Sequence, residues 1–299
     1  MDVITTPPTV EPAETFPPSS ELRRFLRVFF GRPVVIIGCM IIIILITVAV
    51  FAPFFAPHDP YQQNLRQALQ KPSKTYLLGT DTLGRDVLSR IIYGSRVSII
   101  VGLGSVFIAG CIGMPLGLVS GYFGGAIDTL IMRLIDALMA IPPIMLAVAI
   151  GAALGGGIEN VMISLGIALI PTYARLIRGQ VLSVKQSDYV TAAEIVGCSN
   201  LRVMMMHILP NCMPPLIVLV SLNLGFAILA EAGLSFLGLG VTSPKAAWGA
   251  MVYDGYRYLL TNPMLSLAPG FCVMAVVLAF NLVGDGLRDA LDPKLKGTI

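Results

Sequence analysis

Six stretches without a charged side chain set the terms of folding for this sequence. They cover residues 33–57, 97–127, 137–158, 160–174, 212–230 (resuming past Glu231 to 239) and 259–284. About 20 apolar residues form a helix long enough to cross a bilayer, and water has no place in its hydrocarbon core. The fourth stretch is short alone and reaches spanning length with its flanking residues. Only 12% of the 299 residues are charged and 56% are hydrophobic, whereas soluble domains carry about 25% charge. A soluble fold of this size could not hide so much apolar surface behind so few charges. The chain therefore reads as an all-α integral membrane protein with six transmembrane helices. The formal charge of +3 is too small and dispersed for a phosphate-tracking surface, which excludes nucleic acid as a partner.

The flanks suggest four regions. Residues 1–24 read as a disordered tail, with five prolines in the first 20 positions. Residues 25–93 hold the first span and an outer loop, 94–290 the core of the membrane domain, and 291–299 a C-terminal tail. The run at 33–57 follows Arg23, Arg24, Arg27 and Arg32 and is too long for the core of a cleaved signal peptide. With both termini in the cytoplasm, twelve of the 20 Lys and Arg fall inside and eight outside, a small bias in the expected sense. In 81–93, Leu83, Val87, Leu88, Ile91 and Ile92 form an apolar stripe opposite Arg85, Asp86, Ser89 and Arg90. This helical periodicity predicts an amphipathic helix lying on the membrane surface, with Thr80 or Asp81 as its cap.

The longest loop on the cytoplasmic side, 175–211, predicts two short helices. Ser187 or Asp188 caps the first, which runs from Asp188 and Tyr189 through Ala192, Ala193 and Glu194 to a terminating Gly197. Ser199 caps the second, which ends near His207, and Leu209-Pro210-Asn211 turns the chain into the fifth span. The two alanines and the glycine make a surface that another protein could approach closely.

The pattern Ala192-Ala193, three residues, Gly197, eleven residues, Leu209-Pro210 resembles the "EAA" loop of bacterial ABC importer permeases. Thr191 stands at that loop's usual glutamate and His207 at its usual isoleucine, departures common in the peptide-importer branch. Three further strings resemble the second permease subunit of dipeptide, oligopeptide, nickel and glutathione importers: Leu78-Gly79-Thr80-Asp81-Thr82-Leu83-Gly84-Arg85-Asp86, Ser235-Phe236-Leu237-Gly238-Leu239-Gly240, and Asn281 to Asp289 with Asp292-Pro293. The resemblance covers about residues 25–296. It implies a six-helix type I ABC importer permease of the bacterial inner membrane, with a coupling-helix loop between helices 4 and 5. Asp188, Tyr189, Ala192, Ala193, Glu194, Gly197, Leu209 and Pro210 would be its contacts with an ATPase. It also implies a second homologous permease, two ATP-binding cassette ATPase subunits, an extracytoplasmic substrate-binding protein and surrounding lipid as partners. Small peptides are the expected cargo, with nickel complexes or glutathione behind them. No cofactor is expected on this chain, and ATP and Mg would belong to the partner subunits.

No G-x-x-x-x-G-K-[ST] loop occurs, and Gly155-Gly156-Gly157 reads as a turn between spans. His58 and His207 have no nucleophile motif around them, so catalysis in this chain is not expected. The five cysteines are scattered and read as packing residues. Glu231 is the best ionisable residue at membrane depth, either a translocation-pathway contact or a hydrogen-bonded structural carboxylate. Arg133 is expected to pair with Asp128 or Asp136, and Arg288 with its helical neighbours among Asp285, Asp289 and Asp292. The rival reading is a self-contained secondary transporter or channel. That class places charges near the midplane and repeats its halves, and neither feature is evident here.

Overall fold

The computed structural model describes residues 21–241 and 244–291. Most of the segment read as a tail, 1–20, and the residues Asp292, Pro293, Lys294 and Lys296 lie outside that range. Residues 21–24 belong to a helix, α1 (Glu21–Phe29). It leads into α2 (Pro33–Val50), where Pro33 at the first position supplies a pre-set φ and lacks only a donor that would be orphaned anyway. α2 is roughly 27 Å long at 1.5 Å per residue, enough for a bilayer core. α3 (Ala52–Phe55) is one further turn. Arg96 closes the end of α2, its Nε donating to the Ala49 carbonyl at 2.5 Å and its Nη2 to Val50 at 2.9 Å. These are carbonyls that a helix end leaves without partners.

The interfacial helix expected at 81–93 is not there. Residues 79–86 form a tight loop, and α4 (Val87–Phe123) starts with Asp86, not Asp81, as its cap, accepting from the Ser89 amide at 2.9 Å. The supposed water-facing side is turned inward: Arg85, Asp86, Ser89 and Arg90 are all buried. Most of their polar atoms find partners there, and Arg85 Nη1 and Asp86 Oδ1 are without one among the described residues. Asp81 Oδ2 takes Arg85 Nε at 2.6 Å, and Arg90 Nη1 donates to the Pro60 carbonyl at 3.2 Å. Helical periodicity reports which side differs and cannot tell water from a paired polar cluster. α4 also runs unbroken through residues 93 and 94, so the boundary expected there falls inside a helix.

α5 (Gly125–Met139) and α6 (Pro143–Leu154) follow, bent by 85° at the Pro142-Pro143 break. The third expected span is therefore a broken pair. α7 (Ile158–Val184) begins after the glycine triplet, which forms the expected turn. α8 (Asp188–Ile195) and α9 (Asn200–Arg202) are the two short helices of the long loop. No turn separates the second from the next span: a π-helical stretch at Val203–Ile208 joins α9 directly to α10 (Leu209–Phe236). Pro210 therefore sits inside a continuous helix, just past the π-helical stretch, and supplies no N–H to the preceding turn. α11 (Trp248–Tyr256) and α12 (Met264–Leu291) complete the chain. Among the described residues five helices are long and apolar enough to cross a membrane, and α5 with α6 makes a sixth.

The centre of the bundle is the parallel pair α4 and α7, which meet from Gly104 against Met162 to Gly121 against Val181. A Cβ on Gly113 would come within 2.7 Å of the Ile170 carbonyl, and one on Gly117 would collide with the Ala174 carbonyl. Small residues let the two backbones approach closely, as in lipid-embedded helix pairs. Outward, α2, α4 and α12 expose Ile43, Ile44, Phe107 and Phe271, an apolar exterior suited to hydrocarbon.

Candidate functional site

α8 is clamped to one end of the bundle by few but well-placed contacts. Val190 is fully buried, in a cluster with Val181, Val203, Met204, Ile208 and Tyr122. Ala193, one turn on, is half-buried against the same cluster. The helix ends in a Schellman arrangement, with Gly197 N donating to the Glu194 carbonyl at 3.0 Å and Cys198 N to Ala193 at 3.1 Å. Gly197 sits at φ +86°, and a Cβ there would meet nothing within 4 Å. Its glycine serves the left-handed turn and not a close approach.

The remaining face of α8 is open. Asp188, Tyr189, Thr191, Ala192, Glu194, Ile195 and Val196 are exposed, Ile195 at 81% and Val196 at 84%, with Leu201 of α9 at 67% beside them. The paired alanines thus divide, Ala192 outward and Ala193 inward. Leu209, half-buried, and Pro210, exposed, form the first turn of α10.

Tyr122, in the last turn of α4, is a residue the sequence did not single out. Its hydroxyl lies 3.0 Å from Asn200 Oδ1 and 3.3 Å from Glu194 Oε1. Lys185 Nζ donates to the Tyr122 carbonyl at 2.7 Å and sits 5.0 Å from the centre of its ring. One side chain therefore ties α4 to both short helices. The only signal in the sequence is an aromatic placed before the Gly124-Gly125 break.

Behind this surface, ion pairs brace α5 against α7. Arg178 forks onto Asp128 with two 2.6 Å bonds, Ser120 donates to the same carboxylate, and Arg175 Nη2 reaches Asp136 at 2.5 Å. The expected Arg133 pairing is not found among the described residues. The guanidinium groups of α7 occupy both acids, and the two-pronged geometry at Asp128 is one that a helical neighbour cannot match. On α12, Asp289 pairs with Arg32 at 2.6 Å, so this helix is anchored to the start of α2 and not along its own face. His207 is half-buried on the π-helical stretch.

Glu231 lies toward the opposite end and is fully buried. Ser235 Oγ donates to its Oε1 at 2.6 Å and accepts from Val241 N at 3.1 Å. The carboxylate therefore ties the segment after α10 back onto the helix.

The comparisons with known proteins agree with this architecture. Residues 113–297 match the model of the binding-protein-dependent transport system inner membrane component. The chain belongs to that family. Residues 20–72 match the N-terminal TM domain of oligopeptide transport permease C. Similar proteins include the dipeptide transport system permease protein DppC of Haemophilus influenzae, 42% identical over 94% of this chain and 98% of that one. The probable D,D-dipeptide transport system permease protein DdpC of Escherichia coli is 45% identical over 89% and 90%. A crystal form of the MetNI methionine ABC transporter, inward facing, superposes with a TM-score of 0.56 at 17% identity, over 68% of this chain and 96% of that one. It shares the fold. As a member of this permease family the chain is a multi-pass inner membrane component of a transport system, which sets aside the self-contained transporter.

Proposed function

We propose that this chain forms half of the translocation pathway of an ATP-driven importer of small peptides, and that α8 is the part that receives force from an ATPase. The observation that carries this is the split character of α8: one face locked into the bundle by Val190 and Tyr122, the other presenting Tyr189, Ile195 and Val196. Isolated exposed apolar side chains are ordinary, but a cluster of them on a small, well-anchored helix at a polar end marks a protein contact. The names of the relatives support peptide cargo.

In this reading the α8 end is cytoplasmic, as are both termini. A second, homologous permease supplies the other half of the pathway. Two ATPase subunits carry ATP and Mg, a binding protein delivers cargo from outside, and lipid surrounds the apolar exterior. Closure of the ATPase pair moves α8, and Tyr122 passes that movement to α4 while α9 passes it to α10. The coupling works only through contacts that differ between the two states. The chain itself performs no chemistry.

The test is to tag the chain, extract it from its own membrane in mild detergent and identify what travels with it. A second permease and one or two ATPase subunits are expected. Recovery of the chain alone under several gentle conditions would overturn the assignment.

A further inference from the structure

Between the α8-proximal ends of α7, α10 and α12 lies a cavity of about 490 Å³, inside the range of about 300–1,000 Å³ common to small-molecule sites. Its walls are largely apolar, among them Leu219, Pro214 and Pro215 of α10. Three polar side chains interrupt them: Gln180 of α7, Asn211 of α10 and Arg288 of α12.

Arg288, like Arg133 and Arg202, has no carboxylate partner among the described residues. Arg32, Arg175 and Arg178 each rest on a carboxylate. Arg288 makes no ion pair among the described residues, although Asp285 is one turn away and Asp289 adjacent, the latter taken by Arg32. Gln180 likewise has no side-chain hydrogen bond among the described residues. Donors for an anion are therefore present at the cavity and unused among the described residues.

Acceptors are present as well. Asn211 Nδ2 donates to the His207 carbonyl at 2.7 Å, which leaves its Oδ1 open. Pro214 and Pro215 lack the N–H that would reach back four residues, so the carbonyls of Pro210 and Asn211 lose their ordinary helical donors. Backbone acceptors freed in this way are tolerated at membrane depth where they border a cavity, and Asn211, Pro214 and Pro215 do border this one.

We propose that this cavity is a binding station for a small zwitterion, its carboxylate on Arg288 and Gln180, its ammonium on Asn211 Oδ1 and the carbonyls freed by the two prolines. This inference rests on the importer reading and specifies where its cargo pauses on the cytoplasmic side. Short peptides have the required pair of charges, and the apolar walls accommodate varied side chains.

The test uses the whole transporter in nanodiscs without nucleotide, with Leu219→Cys in this chain, or Val218→Cys if the first does not assemble. Maleimide labelling at the introduced thiol is read by mass spectrometry. The free dipeptide Ala-Ala is expected to slow labelling in a saturable way. Added Arg288→Gln should shift half-protection to concentrations higher by about ten- to a hundredfold, the range of a lost charge-assisted bond. The C-terminal amide of the same dipeptide should protect poorly and be indifferent to Arg288→Gln. Protection that is equal for acid and amide, or absent, overturns the station. So does labelling that responds to phosphatidylglycerol in the nanodisc and not to dipeptide, which would make the anion a lipid headgroup. Wild-type ATP-driven uptake of Ala-Ala into proteoliposomes is measured in parallel. Uptake without protection leaves the importer reading standing and removes the station, and a transporter that imports no dipeptide removes the cargo reading itself.

Discussion

The Tyr122 hydroxyl lies 3.0 Å from Asn200 Oδ1, bridging 78 positions of sequence between the last turn of α4 and the start of α9. Together with the 3.3 Å approach to Glu194, it links the central α4 and α7 pair to both short helices. Removing only the hydroxyl, as in Tyr122→Phe, costs about 1 kcal/mol for a hydrogen bond at a partly wet site. That amounts to a factor of about five in a two-state equilibrium. The expected outcome is ATP hydrolysis near the wild-type rate with uptake per ATP reduced about fivefold, measured with both readouts on the same proteoliposomes.

Val190 and Ile195 separate anchoring from docking. Val190→Ala removes buried methyl groups and should cost about 2 kcal/mol, seen as a lower melting temperature of the purified complex. Ile195→Asp changes a side chain that is 81% exposed and should leave the melting temperature of this chain within the small range of surface substitutions. It should nevertheless strip the ATPase during gel filtration. Equal retention of ATPase by Ile195→Asp and wild type would argue against the outward face of α8 as the contact.

Gly197 tests conformation against crowding. With φ at +86° and open space where a Cβ would sit, Gly197→Ala should cost about 1–2 kcal/mol from backbone strain alone, and Gly197→Asn should cost less because asparagine tolerates this region. A ranking in which asparagine is worse than alanine, read by uptake and thermal melting, would mean that size at this position matters more than backbone.

Glu231 distinguishes structure from transport. Its Oε1 accepts from Ser235, a role that the amide oxygen of glutamine can fill. Glu231→Gln is expected to keep uptake within about twofold of wild type, whereas Glu231→Leu leaves the Ser235 hydroxyl without its acceptor and should lower stability by about 1–3 kcal/mol. Loss of uptake in Glu231→Gln at normal stability would place the charge in the translocation pathway.

What is legible in the sequence is local. Gly197 ends α8 and Ser187 stands at its N-cap position, although its side chain makes no cap bond, because helix-end preferences act over a few residues, and the glycine triplet marks a turn for the same reason. The charge-free runs locate the spans because lipid imposes one length on all of them. The contacts that make α8 a functional element are not legible, since Tyr122 meets Glu194 and Asn200 across 72 and 78 positions, and Arg178 meets Asp128 across 50. The segment 81–93 misleads for a different reason. Its helical periodicity is realised only from Val87 on, and the polar side faces Asp81 and the Pro60 carbonyl instead of water, and a pattern of residue types does not name the partner.

The most direct measurement places a cysteine at each end of the bundle, Ile195→Cys on α8 and Arg66→Cys on the opposite end, in the intact complex. A short bifunctional crosslinker is then applied with and without ATP. The account expects Ile195→Cys to link to an ATPase subunit with a yield that changes with nucleotide, and Arg66→Cys to link to none. Crosslinking to the ATPase from position 66, or none from position 195 in a complex that retains its ATPase, would contradict it.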